Sequence, residues 1–364
     1  MPAYGRSRAF WIPFLLLFAV MVGLGGFGRT VSGEGALSAQ ARLVNAPGPA
    51  TPLAATTPSA APDDALPDSL AEASTGPSTN ATPFVVRFGE TVTRAPLMSV
   101  FVLPGETTDL RIDTDVPADS IDVQSPERAL SPAGNRRWTH RAPETPGVSD
   151  LTIRHPEGTS ILRVFVLTPW DHQGTSLEGY RIGRYRRAAR RGRPNYERPQ
   201  GFVKVTEDTR EMQLSPHFRL SQFLCKQTDA VPQFALVDTR LLQTLEQILA
   251  GVHARGHSVS TLDVMSGFRT PAYNRSIGNT TVYSRHLYGD AADIFVDADG
   301  NGYMDDLTGD GRSTKADARY LAAVVKEAAA NPGEGFVGGL GIYGPAPHRG
   351  PFVHVDLRGY RARW

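Results

Sequence analysis

The pattern of apolar and polar positions changes character repeatedly along this chain. Residues Ala9 to Gly28 form an uncharged, mostly apolar run preceded by Arg6 and Arg8. That is the form of a secretory signal peptide or an N-terminal membrane anchor over residues 1–31. Ala39-Gln40-Ala41 offers a small-residue cleavage signal, while the length of the run suits retention, so both outcomes stay open. Residues 32–82 are dominated by Ala, Pro, Ser and Thr, with little aromatic or β-branched material to repay the entropy of ordering, and a flexible tether is expected there. Over residues 83–170 the runs FVVRF, LMSVFVL, LRIDT, SIDVQ, DLTIRH and SILRVFVL alternate with turn signals such as Pro104-Gly105. Short strands at such spacing predict a β-rich accessory domain with the form of a small β-sandwich, in which Trp138 packs as a core or turn aromatic.

Residues 171–213 form an Arg/Tyr-rich connector. Arg181, Arg184, Arg186, Arg187, Arg190, Arg191 and Arg193 are interleaved there with Tyr180, Tyr185 and Tyr196. Guanidinium groups and rings in this order could grip a phosphate-bearing polymer or an acidic glycan. An ordinary solvated connector is the plainer reading. Beyond residue 214, Leu241, Leu242, Leu245, Ile248, Leu249 and Val252 recur at helical spacing behind the N-cap candidate Asp238. Thr314 and Asp317 open a second helix through Tyr320, Leu321, Val324, Val325 and Ala328. The glycine-rich FVGGLGIYG and the terminal run PFVHVDL follow. Helices mixed with separate strands predict an α+β domain over residues 214–364.

Composition narrows the function. The 38 Lys and Arg against 37 Asp and Glu give a net charge of +1, which argues against a protein built around nucleic acid. The single Cys225 excludes an intramolecular disulfide and any cysteine-based metal cluster. Beside Phe223 and Leu224 it reads as a small buried apolar residue, with a catalytic thiolate as the lesser alternative.

The chemistry gathers in SGFRTPAYNRSIGNTTVYSRHLYGDAADIFVD. His286 and Asp293 are seven residues apart, a spacing that one face of a two-turn helix or a turn at Gly289 followed by a strand could both bring together. In FVHVDLRG, strand alternation puts Phe352, His354 and Asp356 on one face and Val353, Val355 and Leu357 on the other. An imidazole from this strand could join the earlier His and Asp in a three-ligand zinc site with a corner left for water. With nine histidines in the chain, spacing alone does not choose this grouping over accident.

Three ordered blocks, SGFRTPAYN at 266–274, SRHLYGDAADI at 284–294 and GIYG with FVHVDLRG between 341 and 359, resemble the zinc D-alanyl-D-alanine carboxypeptidase and murein endopeptidase family. Its short-domain murein endopeptidase branch is the nearest in pattern. The resemblance implies that His286, Asp293 and His354 hold zinc. It also implies that Arg269 orients substrate or stabilises an oxyanion, and that Ser284 supports the site. The implied substrates are peptidoglycan stem peptides, met in the periplasm or cell envelope, with the membrane as a partner if the N-terminal segment is uncleaved. Many members carry an acidic residue three positions before the last histidine, where this chain has Pro351. Asp356 is then the nearest candidate general base, or else the group that holds an imidazole, and His348 is a distant third candidate.

After the second block, VDADGNGYMDDLTGDG places Asp297, Asp299, Asn301, the Tyr303 carbonyl and Asp305 at alternating positions that resemble the start of a calcium loop. Thr308 stands where a bidentate Glu would complete it, and Asp306 and Asp310 could supply further oxygens. An acidic surface turn is the alternative over 297–310. Two functions emerge: a zinc-dependent peptidase acting on peptidoglycan, or a metal-stabilised wall-binding scaffold that no longer cuts.

Overall fold

The computed structural model describes residues 81–364, apart from 127–128 and 329–337. The signal or anchor assigned to residues 1–31 and nearly all of the tether lie outside the described residues. Among the described residues no helix is long and apolar enough to cross a membrane, so the expectation of a transmembrane or signal segment gains no support here.

All six apolar runs of the β-rich region contain strands, because each alternates or is continuously apolar over a length that suits a pleated, half-buried ribbon. They assemble into two separate sheets. In one, Thr91–Thr93, Val85–Phe88, Thr107–Asp113, Arg137–Arg141 and Leu130–Gly134 lie side by side in that order, all antiparallel. In the other, Leu97–Val102 runs parallel to Gly158–Val166, which pairs with Gly147–His155 and then Asp122–Gln124. No closed β-sandwich results, which corrects the sandwich expected from strand spacing: spacing counts strands but does not fix how sheets close. Trp138 is half-buried opposite Leu110 and Pro132.

The Arg/Tyr-rich segment is folded against its neighbours. Tyr180, Tyr185 and Tyr196 are buried while most of the arginines face solvent, so the rings do not present a stacking surface between the cations. Tyr185 donates its hydroxyl proton to the carbonyl of Leu287 at 2.6 Å, which ties this segment to the turn carrying His286.

The C-terminal region mixes helices and strands. Its helices are α1 (Glu207–Arg210), α2 (Thr239–His253), α3 (Pro271–Ser276) and α4 (Lys315–Ala328). The apolar stripe of α2 is buried from Leu241 to Val252, and Asp238 caps its first turn by accepting from the Arg240 amide. At the start of α4, Asp317 reaches back to the Thr314 amide while the Thr314 hydroxyl accepts from Ala316, the reciprocal arrangement that satisfies otherwise orphaned donors.

A five-stranded sheet supports the site, with neighbours in the order Asp263–Ser266, Ala291–Phe295, Phe352–Asp356, Gly339–Tyr343 and Ala362–Arg363. The first four are mutually antiparallel and the last runs parallel to its neighbour. Val353 and Val355 belong to the buried core, where α4 packs against this strand and the next. The register pairs Ser266 with Asp293, Asp293 with His354, and His354 with Gly341, so these four positions form one row on the opposite face.

Candidate metal centre

Pairing register brings Asp293 and His354 together, because residues directly opposite on neighbouring strands have adjacent side chains. His286 arrives from a different direction. A short 3-10 turn over Arg285–Tyr288 ends at Gly289 in the left-handed region (φ 73°), and the chain then enters the strand Ala291–Phe295. Gly289 is needed twice over, since a Cβ there would also sit 2.6 Å from the backbone of Leu236. The turn-and-strand route, not a two-turn helix, therefore carries His286 to Asp293.

The three side chains are buried, and one ligand atom from each lies within 4.8 Å of the others. Their hydrogen bonds fix which atoms converge. The carbonyl of Gly267 can only accept, so His286 donates to it from Nδ1 at 2.7 Å and keeps its lone pair on Nε2, 3.4 Å from Asp293 Oδ1. His354 Nε2 faces Asp356 at 2.9 Å, which leaves Nδ1 toward Asp293 Oδ1 at 2.8 Å. Two imidazole nitrogens and one carboxylate oxygen thus point at a common centre, a donor set suited to zinc.

Electrostatics favour positive charge there. Burial pushes the Asp293 carboxyl up, but the two imidazoles outweigh it and hold it well below the usual carboxylate range. Burial pulls His286 down, which keeps its ring neutral and able to ligate. Burial also pulls His354 down, yet its hydrogen bonds to Asp293 and Asp356 prevail and raise it to about 9. A cation between these groups is what the carboxylates stabilise.

Of the other residues singled out from the sequence, Arg269 donates from Nη2 to Asp293 Oδ2 at 2.7 Å and from Nε to Ser266 Oγ at 2.7 Å. Asp356 is fully buried and accepts from Arg358 and from the Gly339 amide as well as facing His354. Burial raises its carboxyl, but the bonds to His354 and Arg358 win and hold it low. Ser284 makes no side-chain capping bond, and its carbonyl accepts from the Leu287 amide. His348 is exposed and Pro351 buried.

Sequence reasoning missed Ser266, Gly267 and Arg358, which hold Arg269, His286 and Asp356 in turn. Strand alternation could have flagged Ser266, which precedes the glycine of the first block, but nothing local marks a backbone carbonyl as the partner of a distant imidazole.

The acidic loop does not support calcium. Carboxylate oxygens of Asp297, Asp299 and Asp305 lie within reach of one another, as those of exposed acidic groups commonly do without an ion. Asn301 donates to Asp299 and accepts from the Tyr303 amide. Asp297 accepts from the amides of Gly300, Asn301 and Gly302, and Asp305 from Ala298. The loop closes on its own amides, as an acidic surface turn does.

A family model described as Peptidase M15 matches residues 216–307, a span that contains Arg269, His286 and Asp293 and ends before His354. No curated protein and no solved structure matches the chain. The family match and the buried His-His-Asp group together class this protein as a zinc metallopeptidase.

Proposed function

We propose that this protein hydrolyses peptide bonds in peptidoglycan stem peptides at the cell envelope, as a D,D-endopeptidase or D,D-carboxypeptidase. The convergence of His286 Nε2, His354 Nδ1 and Asp293 Oδ1 carries the reading, supported by the Peptidase M15 match and the murein-peptidase pattern of the three sequence blocks. Zinc bound there supplies Lewis-acid activation of water and of the scissile carbonyl.

The chain's own residues provide the rest. Gly267 and Asp356 orient the two imidazoles through the nitrogens that do not ligate, fixing both tautomers. Arg269 spends two nitrogens on Asp293 and Ser266, and its remaining Nη1 would take a substrate carboxylate or the developing oxyanion. Asp356 acts as a positioning group, since its oxygens are committed to Arg358, Gly339 and His354. Residues 214–364 form the catalytic region on this reading, and the β-rich residues 83–170 hold it against the wall.

Buried Pro351 and the commitment of Asp356 favour one second reading, a zinc-stabilised wall-binding protein that does not cut. Mass spectrometry of defined linear and cross-linked muropeptides, incubated with the zinc-loaded protein and with a chelated control, decides between them. New termini that vanish with chelation establish the hydrolase. Zinc-dependent retention on intact sacculi without new termini establishes the binder, and activity insensitive to chelation rejects both.

A further inference from the structure

The row Ser266, Asp293, His354 and Gly341 crosses the sheet on the metal-bearing face, and its last member has no side chain. The indole of Trp364 fills that place, and a Cβ on Gly341 would come within 2.6 Å of its Nε1. Backbone bonds pin the indole there. Trp364 donates its amide to Leu340 and accepts from Ile342, continuing the parallel pairing of Ala362–Arg363 with Gly339–Leu340. Its ring centroid lies 5.4 Å from that of His354, and the Arg358 guanidinium lies 4.7 Å from the indole centroid.

Tyr343 stands two residues beyond Gly341 on the same strand face, stacked on Phe352 with centroids 4.5 Å apart. The indole N–H donates to the Tyr343 hydroxyl at 2.6 Å. That bond uses the phenol oxygen as an acceptor, and the phenol's own proton has no acceptor among the described residues. Trp364 remains 38% exposed, so the pair meets solvent beside the metal centre instead of sealing into the core. Packing alone would be served by any apolar side chain at 364 and by Phe at 343.

We infer that Tyr343 and Trp364 form a substrate-binding wall of the metal centre, in which the Tyr343 hydroxyl donates a hydrogen bond to an oxygen of the bound peptide and Trp364 aims that hydroxyl. This rests on the peptidase reading above. Tyr343 is then a specificity residue and Trp364 a positioning residue acting through it.

The test uses the full zinc-loaded chain and a phosphinate analogue of acyl-D-alanyl-D-alanine, whose binding calorimetry reads without any turnover. Zinc affinity is measured alongside by chelator competition. Tyr343→Phe should weaken the phosphinate roughly tenfold, the worth of one hydrogen bond, with zinc affinity unchanged. Trp364→Phe should weaken it less, and the Tyr343→Phe/Trp364→Phe pair should bind no worse than Tyr343→Phe alone, because the indole acts through the hydroxyl. Wild-type affinity in Tyr343→Phe, additive losses in the pair, loss of zinc from either single variant, or a zinc-loaded wild type that ignores the phosphinate would each overturn the inference. Muropeptide cleavage by wild type is scored separately. Cleavage that persists in Tyr343→Phe with unchanged KM and kcat rejects the wall and leaves the peptidase reading intact.

Discussion

Asp356 meets His354 at Nε2, 2.9 Å away, while the other ring nitrogen faces Asp293. The carboxylate therefore sits behind the imidazole, on the side away from the point where the three donor atoms converge. It is also fully buried and bound by Arg358. A general base needs hydrogen-bond reach to the proton it removes. A carboxylate in this position can orient the ring and raise its basicity instead.

Asp356→Asn separates those roles. If the residue positions His354, the variant should lose zinc affinity by roughly 10- to 100-fold, and saturating zinc should restore much of the activity. If it were the base, zinc affinity would hold while kcat fell by about 10²- to 10⁴-fold at every zinc concentration. Chelator competition together with kcat across a zinc titration distinguishes the two.

The donor set itself makes a simpler demand. His354→Ala and Asp293→Ala should each purify with far less than one zinc per chain, and zinc should no longer raise the melting temperature, because stabilisation by a ligand scales with its occupancy. Elemental analysis and thermal unfolding with and without zinc check this. Full zinc content in both variants would place the metal elsewhere.

The two long helices, α2 and α4, were readable because their apolar residues keep a strict period, as from Leu241 to Val252 in α2, whereas α1 and α3, with four and six residues, are too short to show one. Strands with strong apolar runs were readable too. Thr91–Thr93, Leu130–Gly134 and Arg137–Arg141 were not, being short or largely polar and held by neighbours distant in sequence. Alternation placed His354 and Asp356 on one strand face, but which ring nitrogen meets which carboxylate depends on a cross-strand register that no local pattern encodes. The same limit hid Gly267, whose contribution is a backbone carbonyl. In the Arg/Tyr-rich segment the sequence favoured a solvated connector and left an anion-gripping surface open beside it, and that the tyrosines turn inward is something only burial reveals.

Cys225 offers a prediction about protonation. Burial pushes its thiol up, against the opposing hydrogen bonds from Thr270, so it stays protonated through neutral pH. The thiolate is the reactive form. Iodoacetamide at pH 8 should therefore leave the native protein unmodified and label Cys225 only after denaturation, as mass spectrometry will read. Rapid labelling of the native protein would reopen a cysteine-based chemistry.

Gly289 should tolerate substitution poorly. A side chain there meets both the left-handed backbone and the Leu236 carbonyl group, whose atoms lie 2.6 Å from the added Cβ. At Gly278 the backbone is similarly left-handed (φ 79°) but no atom lies within 4 Å. Gly278→Ala should cost about 1 kcal/mol, the ordinary left-handed penalty. Gly289→Ala should cost distinctly more and weaken zinc binding as well, since it displaces the turn carrying His286. Equal losses for the two in urea denaturation would show that the Leu236 contact relaxes freely.

The neighbouring residue supplies the strongest stability prediction. Arg285 and Asp290 form a two-pronged ion pair with both side chains only 2% exposed. Arg285 also donates to the Asn195 carbonyl at 2.7 Å and lies 4.1 Å from the centre of the Tyr196 ring. Removing Asp290 strands the buried Arg285 charge, which typically costs about 3–5 kcal/mol. Removing Arg285 leaves a carboxyl that burial already raises to about 7 to take up a proton without its partner. An exposed pair such as Arg141–Glu144, by contrast, contributes about 1 kcal/mol or less. Asp290→Asn and Arg285→Leu should each lower the urea midpoint sharply, and Glu144→Gln should hardly move it. Because Arg285 immediately precedes His286, both variants should also bind zinc more weakly. The double variant Arg285→Leu/Asp290→Leu should recover part of the stability, since it leaves neither charge alone in the core. Singles that unfold like Glu144→Gln would mean that water reaches the pair and shares its charge, and that the turn bearing His286 is held by Gly289 and the Gly267 carbonyl without it.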